Sequence, residues 1–505
     1  MSISRFLLLL SFVSCLVVTQ VKAAEPSSPN VLILLCDDLG YGDLQCFGHP
    51  HIKTPSLNKL ASQGMRLTDC YSTAPVCSSS RAGLMTGRTP NRSGIYDWIP
   101  DGHPTHLKAE ETTLAEVARN GGYRTGMFGK WHLNGRFNQD DTPQPDDHGF
   151  DTWYATQNNA SPSHANPGNF VRNGNSVGPQ EGFSCQLVAT EAIRWMTEPK
   201  SEQPFFAFVC FHEPHEPVAS PPDLVKKYLP VAENENQAQY FANVENMDRA
   251  VGRIIEAIDN AGVGENTLVY FSSDNGPETL NRYPNARRSW GTPGPLREMK
   301  LHIYDGGIRV PGIVRWPAKV APHQVINTPV CALDLMPTLC ELLEQPLPEK
   351  PLDGTSLVSF LAGNDLNRKE PLFWHYYRAL TRPKVAMRDG RWKLVGFWDG
   401  PHMIEAGSSV GRNVNSKSVE IVKTAQLVEF ELYDMQSDIA EQNNVAAQHP
   451  EVMSQLKQAM LKKYAEVQQE SPLWPKADAY WEAQAEIRRQ RQLQNRKQKA
   501  ATKKQ

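Results

Sequence analysis

Short apolar runs that end in polar residues are the most regular pattern in this sequence. Val31–Leu35 is uninterrupted and rich in branched side chains, which is typical of a parallel strand buried on both faces. Three further runs lead directly into polar clusters, at Gly129–His132, His212–Pro217 and Ser272–Gly276. The sequence therefore predicts four buried strands, each with chemically active side chains at its carboxyl end.

Segments with helical spacing of apolar residues alternate with these runs. Val244–Ala261 has an apolar residue every three or four positions, and Thr54–Gly64 shows the same pattern before a terminal glycine. This alternation predicts an α/β fold, with a mostly parallel sheet sandwiched by helices. Because ligands bind beyond the carboxyl ends of the strands in such sheets, we expect the four polar clusters to meet at one edge.

The pattern changes near residue 350. Leu347–Pro351 is rich in proline, Val385–Val395 and Glu431–Asp434 alternate like antiparallel strands, and Pro450–Val467 has the spacing of an amphipathic helix. The predicted organisation is a catalytic domain over residues 25–350, a smaller C-terminal α+β domain over residues 351–475, and a basic tail over residues 476–505.

The first 24 residues are typical of an export signal. Arg5 precedes the apolar run Phe6–Val18, and small residues follow Lys22. The run is short for a membrane span, and no other stretch approaches the ~20 apolar residues that a transmembrane helix needs. We therefore expect a periplasmic or secreted protein without a transmembrane segment. The formal net charge of −3 argues against a nucleic-acid partner.

The densest cluster of reactive side chains is Cys77–Arg81, which holds a thiol, three hydroxyls and a guanidinium. We expect a helix to begin here with Ser79 or Ser80 as its cap, so that free backbone N–H groups face an anion beside Cys77. On this stretch alone, a buried structural cysteine before an ordinary capped helix is an equal alternative.

Oxygen ligands follow two of the predicted strands. Asp37 and Asp38 end the first strand and precede glycines, which suggests a loop that holds a hard cation. Asp274 and Asn275 form a second carboxylate and amide pair after another strand. Acidic turn residues are the alternative interpretation of Asp37 and Asp38 taken alone.

Together these residues resemble the type I, formylglycine-dependent sulfatases, close in pattern to arylsulfatase A and the N-acetylgalactosamine-6-sulfatases. The family signature, Cys-x-Pro/Ala-Ser-Arg followed by Thr-Gly-Arg, matches at Cys77, Ser80, Arg81 and Thr86–Arg88. Ser79 stands where Pro or Ala is usual. The similarity covers nearly the whole mature chain and implies an alkaline-phosphatase-like fold.

The resemblance also implies a complete active site. Cys77 would be oxidised to formylglycine by a formylglycine-generating enzyme or an anaerobic maturase, and its hydrate would attack sulfur. The implied metal is Ca²⁺, with Mg²⁺ second. The implied metal ligands are Asp37, Asp38, Asp274, Asn275 and the oxidised Cys77. The implied catalytic residues are Cys77, Arg81, Lys130, His132, His215 and Lys300, of which Lys130, His215 and Lys300 would bind the sulfate.

The leading hypothesis is an exported sulfatase that acts on sulfated carbohydrate. The carbohydrate part depends on the resemblance and on Asn134–Gly182, which is polar, lacks periodicity and is expected to be a long loop at the binding site. One alternative is a phosphate or phosphonate monoesterase of the same fold. The other is a catalytically inactive glycan-binding protein, in which Cys77 stays unmodified.

Overall fold

The computed structural model describes residues 28–198, 203–278, 286–399, 415–474 and 477–502. The predicted signal segment, residues 1–24, lies outside the described residues. Strands are numbered along the chain as β1 Asn30–Asp37, β2 Met65–Leu67, β3 Cys70–Tyr71, β4 Arg124–Lys130, β5 Thr152–Thr156, β6 Val171–Arg172, β7 Asn175–Ser176, β8 Phe205–Pro214, β9 Thr267–Ser273, β10 Gly312–Arg315, β11 Gln324–Ile326, β12 Val330–Cys331, β13 Leu372–His375, β14 Pro383–Asp389, β15 Trp392–Trp398 and β16 Leu427–Asp434.

The helices surround two of the sheets that these strands form. They are α1 Pro55–Ser62, α2 Cys77–Thr86, α3 Pro90–Ser93, α4 Leu114–Asn120, α5 Ser184–Met196, α6 Pro222–Tyr228, α7 Glu235–Asn260, α8 Asp305–Ile308, α9 Leu335–Leu342, α10 Val358–Leu361, α11 Ser416–Thr424, α12 Pro450–Glu470 and α13 Ala477–Thr502. Among the described residues, no helix combines the length and the apolar character needed to cross a membrane.

The largest sheet has a parallel centre, antiparallel pairings on both sides of it, and a parallel edge pair formed by β11 and β2. Over the described chain, its ten strands lie in the order β11-β2-β10-β9-β1-β8-β4-β5-β6-β7. Strands β9, β1, β8, β4 and β5 are neighbours and run parallel. Strand β10 is antiparallel to both of its neighbours, and β6 is antiparallel to β5 and β7. The four predicted strands are therefore adjacent, and their carboxyl ends lie at one edge.

Burial on both faces of this sheet explains the uninterrupted apolar runs. In β1, Val31, Ile33 and Leu35 belong to one apolar core, while Leu32 and Leu34 belong to the core on the opposite face. Helices α2, α4 and α9 contribute to the first core, and α1, α5 and α7 contribute to the second. The predicted α/β fold, with helices on both faces of the sheet, is confirmed.

A smaller antiparallel sheet lies in the C-terminal part of the chain. Its order is β13-β14-β15-β16. One face packs on α11 and α12, and the other contributes to a core that also contains Tyr71, Val76 and Cys77. The predicted C-terminal α+β part is thus confirmed, whereas its boundaries at residues 350 and 475 stay a prediction. The C-terminal sheet is packed against the beginning of the helix that carries Cys77.

The prediction that Asn134–Gly182 is wholly a loop is wrong. Strand β5 lies within it and pairs in parallel with β4 over five residues, and the short hairpin of β6 and β7 extends the sheet. These strands are only two to five residues long. A strand of that length is too short to produce a clear periodicity, and it is stabilised by pairing with a neighbour distant in sequence.

Candidate active site

Four neighbouring strands bring the predicted polar residues to one edge of the large sheet. Asp37 is the last residue of β1, Lys130 the last of β4, and Asp274 directly follows β9. His215 directly follows β8. Asp37, Lys130 and Asp274 are only 0–1% exposed. The structure therefore places charged side chains where water does not reach them.

Helix α2 brings Cys77 to the same edge. The helix begins at Cys77, and its hydrogen bonding starts with the Ser80 N–H, which donates to the Val76 carbonyl at 2.9 Å. The predicted cap at Ser79 or Ser80 is wrong, because Val76 is extended and already occupies the cap position without a side-chain cap bond. The whole helix is buried, and the Ser79 hydroxyl lacks a hydrogen-bond partner among the described residues.

Two lysines and one asparagine hold the carboxylates of Asp37 and Asp38. Lys130 Nζ donates to Asp37 Oδ2 at 2.5 Å, and Lys300 Nζ donates to Asp38 Oδ2 at 2.7 Å. Asn275 Nδ2 donates to the other oxygen of Asp38 at 2.7 Å. Asp38 adopts a left-handed backbone, with φ of 64°, as the chain turns away from β1. Two buried ion pairs and an amide therefore fix the two adjacent aspartates.

Arg81 links helix α2 to two strand ends. Its Nε and Nη2 lie 2.9 and 2.8 Å from Asp274 Oδ2, and its Nη1 donates to the Lys130 carbonyl at 2.7 Å. The side chains of Arg81 and Asp274 are fully buried. A buried ion pair of this kind is costly to break, because one charge would remain unpaired away from water. Arg81 therefore positions Cys77 relative to β4 and β9.

The oxygen cluster fits a hard divalent cation. Asp37 Oδ1 and Asn275 Oδ1 are buried and have no hydrogen-bond partner among the described residues. Ligand atoms of Asp37, Asp38 and His215 all lie within 4.8 Å of one another. Carboxylate and amide oxygens are the donors that Ca²⁺ and Mg²⁺ prefer. An orphaned buried oxygen is costly, so a cation that used both would stabilise the site.

Burial and neighbouring charges shift the pKa values in this cluster. Burial and the charge of Asp37 raise the pKa of Asp274 to about 7. Burial opposes ionisation of Asp37 as well, but the positive charges of Lys130 and its cationic neighbours together outweigh it and hold the pKa of Asp37 well below its usual range. Burial raises the pKa of the Cys77 thiol to about 11, so the thiol carries its proton at neutral pH. Burial and Lys130 lower the pKa of His132 well below its usual value.

A cavity of about 400 Å³ opens onto Cys77. Four predicted catalytic residues line it, namely Cys77, His132, His215 and Lys300. The other predicted site residues do not line this cavity: Arg81, Lys130, Asp37, Asp38, Asp274 and Asn275 are buried beside it in the hydrogen-bonded cluster. The structure thus brings the predicted residues together and divides them into a lining group and a supporting group.

The cavity wall also contains residues that the sequence did not identify. They are Trp98, Asn158, Asn159, Glu216 and Arg378. Arg378 is ion-paired with Asp97, whose carboxylate also accepts a hydrogen bond from Tyr376. Asn158 and Asn159 lie in the polar segment that was expected to face the binding site. Trp98 and Arg378 had no local signal, because an isolated Trp or Arg is ordinary at a surface.

His212 lies beside the cavity without lining it. Its Nε2 is 2.8 Å from the Thr156 hydroxyl, and burial lowers the pKa of its imidazole well below the usual value. Asp305 pairs with Lys393 and Arg309 and belongs to a buried ionic network rather than to the cavity wall. Both residues support the structure around the site.

A buried cluster of carboxylates and cations, placed at the carboxyl edge of a parallel sheet and opening into a polar cavity, defines an α/β enzyme for an anionic substrate. Comparison with known proteins gives the family. The chain belongs to the sulfatase family, whose model matches residues 29–345. A second model, described as N-sulphoglucosamine sulphohydrolase, C-terminal, matches residues 299–408.

Similar proteins share most of their length with this chain. Human arylsulfatase A is 32% identical over 495 residues, which cover 89% of this chain and 90% of the relative. The N-acetylgalactosamine-6-O-sulfatase of Bacteroides thetaiotaomicron is 28% identical and covers 91% of this chain and 98% of its own. A solved structure of Ps i-CgsB in complex with k-i-k-neocarrahexaose has a TM-score of 0.74 at 25% identity, covering 91% and 98% of the two chains. The predicted type I sulfatase family, its fold and its sulfuric ester hydrolase activity are confirmed.

Proposed function

We propose that this protein is an exported sulfatase that hydrolyses sulfate esters of carbohydrate, with formylglycine made from Cys77 as its nucleophile. The observation that carries the proposal is the cavity itself. Cys77, His132, His215 and Lys300 line one space of about 400 Å³, directly beside the carboxylate cluster. A sulfate ester is an anion that repels nucleophiles, so its cleavage requires positive charge and a strong oxygen nucleophile in the same place.

Charge balance explains how the site binds an anion. Three carboxylates, Asp37, Asp38 and Asp274, are matched by three buried cations, Arg81, Lys130 and Lys300. A divalent cation held by Asp37, Asp38, Asp274 and Asn275, with oxidised Cys77, would add two positive charges and polarise a sulfate oxygen. Ca²⁺ is the proposed ion and Mg²⁺ the second choice. The charges of the six side chains cancel, so the two positive charges of the cation would remain to attract the anionic substrate.

The roles of the side chains follow from their positions. Formylglycine at position 77 would supply, as its hydrate, two hydroxyls on one carbon, which is the chemistry that nucleophilic cleavage of a sulfate ester requires. Arg81 and His132 hold this residue in place, Arg81 through its ion pair with Asp274. Lys300 and His215 reach the sulfate from the cavity wall, and one of them protonates the departing alcohol. Lys130 was predicted to bind the sulfate, but its ammonium group is bonded to Asp37 and does not line the cavity, so its proposed role is to hold Asp37.

The cavity wall supports a carbohydrate substrate. The indole of Trp98 is 37% exposed and offers an apolar face on which a sugar ring can stack. The side-chain carbonyls of Asn158 and Asn159 are buried without hydrogen-bond partners among the described residues, and they can accept hydrogen bonds from sugar hydroxyls. The similar protein from Bacteroides thetaiotaomicron is named for a sulfated amino sugar, which agrees with this class of substrate.

Export and maturation complete the proposal. Residues 1–24 would direct export to the periplasm or beyond the cell, and a formylglycine-generating enzyme or an anaerobic maturase would modify Cys77. Export is tested by fractionating native cells and by sequencing the mature N-terminus, which is expected shortly after Ala24. An intact N-terminus at Met1 in cytoplasmic protein would contradict it.

Mass spectrometry of the peptide that contains Cys77 tests the modification. In protein from the native host, conversion to formylglycine is expected to lower the mass of this residue by about 18 Da. Cys77→Ala is expected to abolish turnover of 4-nitrophenyl sulfate and to leave the fold unchanged. Cys340→Ala is the matched control, because it removes another buried thiol outside the catalytic cavity and retains turnover. Activity retained by Cys77→Ala would refute the proposed nucleophile.

Parallel assays separate the proposed function from its alternatives. Turnover of 4-nitrophenyl sulfate is expected to exceed that of 4-nitrophenyl phosphate, and a strong preference for phosphate would favour the phosphomonoesterase. An unmodified thiol in all native protein, together with binding of a sulfated saccharide without turnover, would favour the inactive glycan-binding protein.

A further inference from the structure

The C-terminal helix α13 concentrates positive charge in a chain that is otherwise acidic. Residues 486–505 contain eight Lys and Arg and one Glu. The preceding 485 residues contain 44 Lys and Arg against 54 Asp and Glu, which is a formal net charge of −10. A body of this charge repels a polyanion at long range, whereas the C-terminal segment attracts one. The asymmetry points to an anionic partner for the helix.

Aromatic contacts anchor the beginning of α13 beside the catalytic cavity. The Tyr480 hydroxyl donates to the Asp101 carbonyl at 3.0 Å. The ring of His103 faces the rings of Tyr480 and Trp481, with centroids 4.8 and 5.6 Å away. The same loop includes Trp98, which lines the cavity. The helix is therefore anchored to the loop that supplies Trp98 to the cavity wall.

The basic residues that follow this anchor are exposed. Arg488, Arg489 and Arg491 are all exposed to solvent. Arg489 lies 3.4 Å from Glu486, but that pair is 73% and 55% exposed and is weak in water. The same helix continues in sequence through Arg496, Lys497 and Lys499. Six basic positions thus fall within eleven helical steps, or roughly 16 Å along the axis.

The composition of this helix favours a soluble polyanion over a membrane surface. A helix that lies on a membrane needs a continuous apolar face beside its basic face. Between Glu486 and Gln494, Ile487 and Leu493 are the apolar side chains, and they are 42% and 55% exposed. The larger aromatic residues, Tyr480 and Trp481, are committed to His103. The attraction that remains is electrostatic.

We propose that α13 is a docking site for a sulfated polysaccharide and holds the chain beside the catalytic cavity. This inference rests on the proposed function for the identity of the polyanion. The arginines contact sulfate groups that are not being hydrolysed, and the anchor at Tyr480 keeps the bound polymer close to the cavity entrance. Local binding raises the effective concentration of sulfate esters at the active site, so it lowers KM for a polymer and leaves a small ester unaffected.

Charge-neutral variants of the full chain test this proposal. The test protein carries Arg488→Gln, Arg489→Gln and Arg491→Gln, because Gln retains helix propensity and removes the charge. The matched control carries Lys226→Gln, Lys319→Gln and Lys462→Gln, which removes the same charge from exposed positions on other parts of the surface. Binding to dextran sulfate is measured at low and high salt, with uncharged dextran and phosphatidylglycerol vesicles as further probes.

The arginine variant is expected to bind dextran sulfate at low salt about threefold or more weakly than the unaltered protein, since three exposed charge pairs are lost. The lysine control is expected to change less, and both variants are expected to retain the unaltered rate on 4-nitrophenyl sulfate. Equal losses in the two variants, unchanged binding, or a loss confined to the vesicles would overturn the proposal. Because binding is measured without turnover, an inactive protein that shows the arginine-specific loss would refute the sulfatase mechanism and retain the docking site.

Discussion

Lys393 in strand β15 offers a sharp test of how the C-terminal sheet is held to the catalytic part. Its Nζ lies 2.6 Å from Asp305 Oδ1, 2.8 Å from Glu441 Oε1 and 3.3 Å from the Ile303 carbonyl. All three charged side chains are fully buried. The ammonium group donates hydrogen bonds to Asp305 and to the Ile303 carbonyl, and it forms an ion pair with Glu441. Lys393→Met would remove the cation and leave both carboxylates away from water.

The expected loss of stability is about 3–5 kcal/mol, the cost of breaking a buried ion pair from one side. The loss of stability depends on pH through Glu441. Burial raises the pKa of Glu441 to about 7, although the charge of Lys393 lowers it. Without Lys393 this pKa rises further. When the pKa of a carboxyl is higher in the folded than in the unfolded protein, the folded protein becomes less stable as the pH rises. The destabilisation caused by Lys393→Met is therefore expected to be larger at pH 8 than at pH 5.5.

Lys384 in the neighbouring strand β14 provides the matched control. It is also buried, but its Nζ donates to the Ala379 carbonyl at 3.2 Å and burial lowers its pKa to about 8. Lys384→Met removes a desolvated charge and is expected to change stability by less than about 1 kcal/mol. Guanidinium unfolding at both pH values, followed by tryptophan fluorescence, compares the two variants. Equal losses, or a loss under about 1 kcal/mol for Lys393→Met at pH 8, would refute the reasoning.

Three further predictions concern acid stability, substrate contact and the metal. His375 is buried with neither ring nitrogen bonded among the described residues, and burial, with the charge of Lys384 adding, lowers its pKa to about 3. As the pH falls, His375 is therefore protonated in the unfolded chain before it is protonated in the folded protein, and this destabilises the fold. The His375→Phe variant is expected to lose about 2 kcal/mol less stability than the unaltered protein between pH 6.5 and 5, and an equal loss in the two proteins would contradict this. Asn159→Ala is expected to raise KM for a sulfated disaccharide about fivefold and to spare 4-nitrophenyl sulfate, which lacks sugar hydroxyls; equal effects on both would exclude this contact. Chelation by EDTA is expected to lower the thermal midpoint, with recovery on adding Ca²⁺, and Asp38→Asn is expected to weaken the response. A thermal midpoint that ignores both EDTA and Ca²⁺ would argue against the cation site.

The sequence by itself determined the parallel centre of the sheet and the residues at its edge. A strand buried on both faces must be apolar throughout, so runs such as Val31–Leu35 identify β1 and its neighbours without reference to the rest of the chain. Where such a run meets Asp37, Lys130 or Asp274, the chain leaves the core, and the topology of parallel strands collects these ends. The signature that begins at Cys77 also made the family recognisable, because its residues are contiguous in sequence.

The tertiary structure decided how those residues divide their tasks. Lys130 and Lys300 are equivalent as sequence features, yet Lys130 is bonded to Asp37 in the buried cluster and Lys300 lines the cavity. Trp98 and Arg378 are 280 residues apart in sequence yet line the same cavity, because the C-terminal sheet packs against the start of α2. Such placements depend on packing between distant segments, which no local pattern of residue types contains. The chemistry at the edge of the sheet was therefore local information, and the shape of the cavity around Cys77 was not.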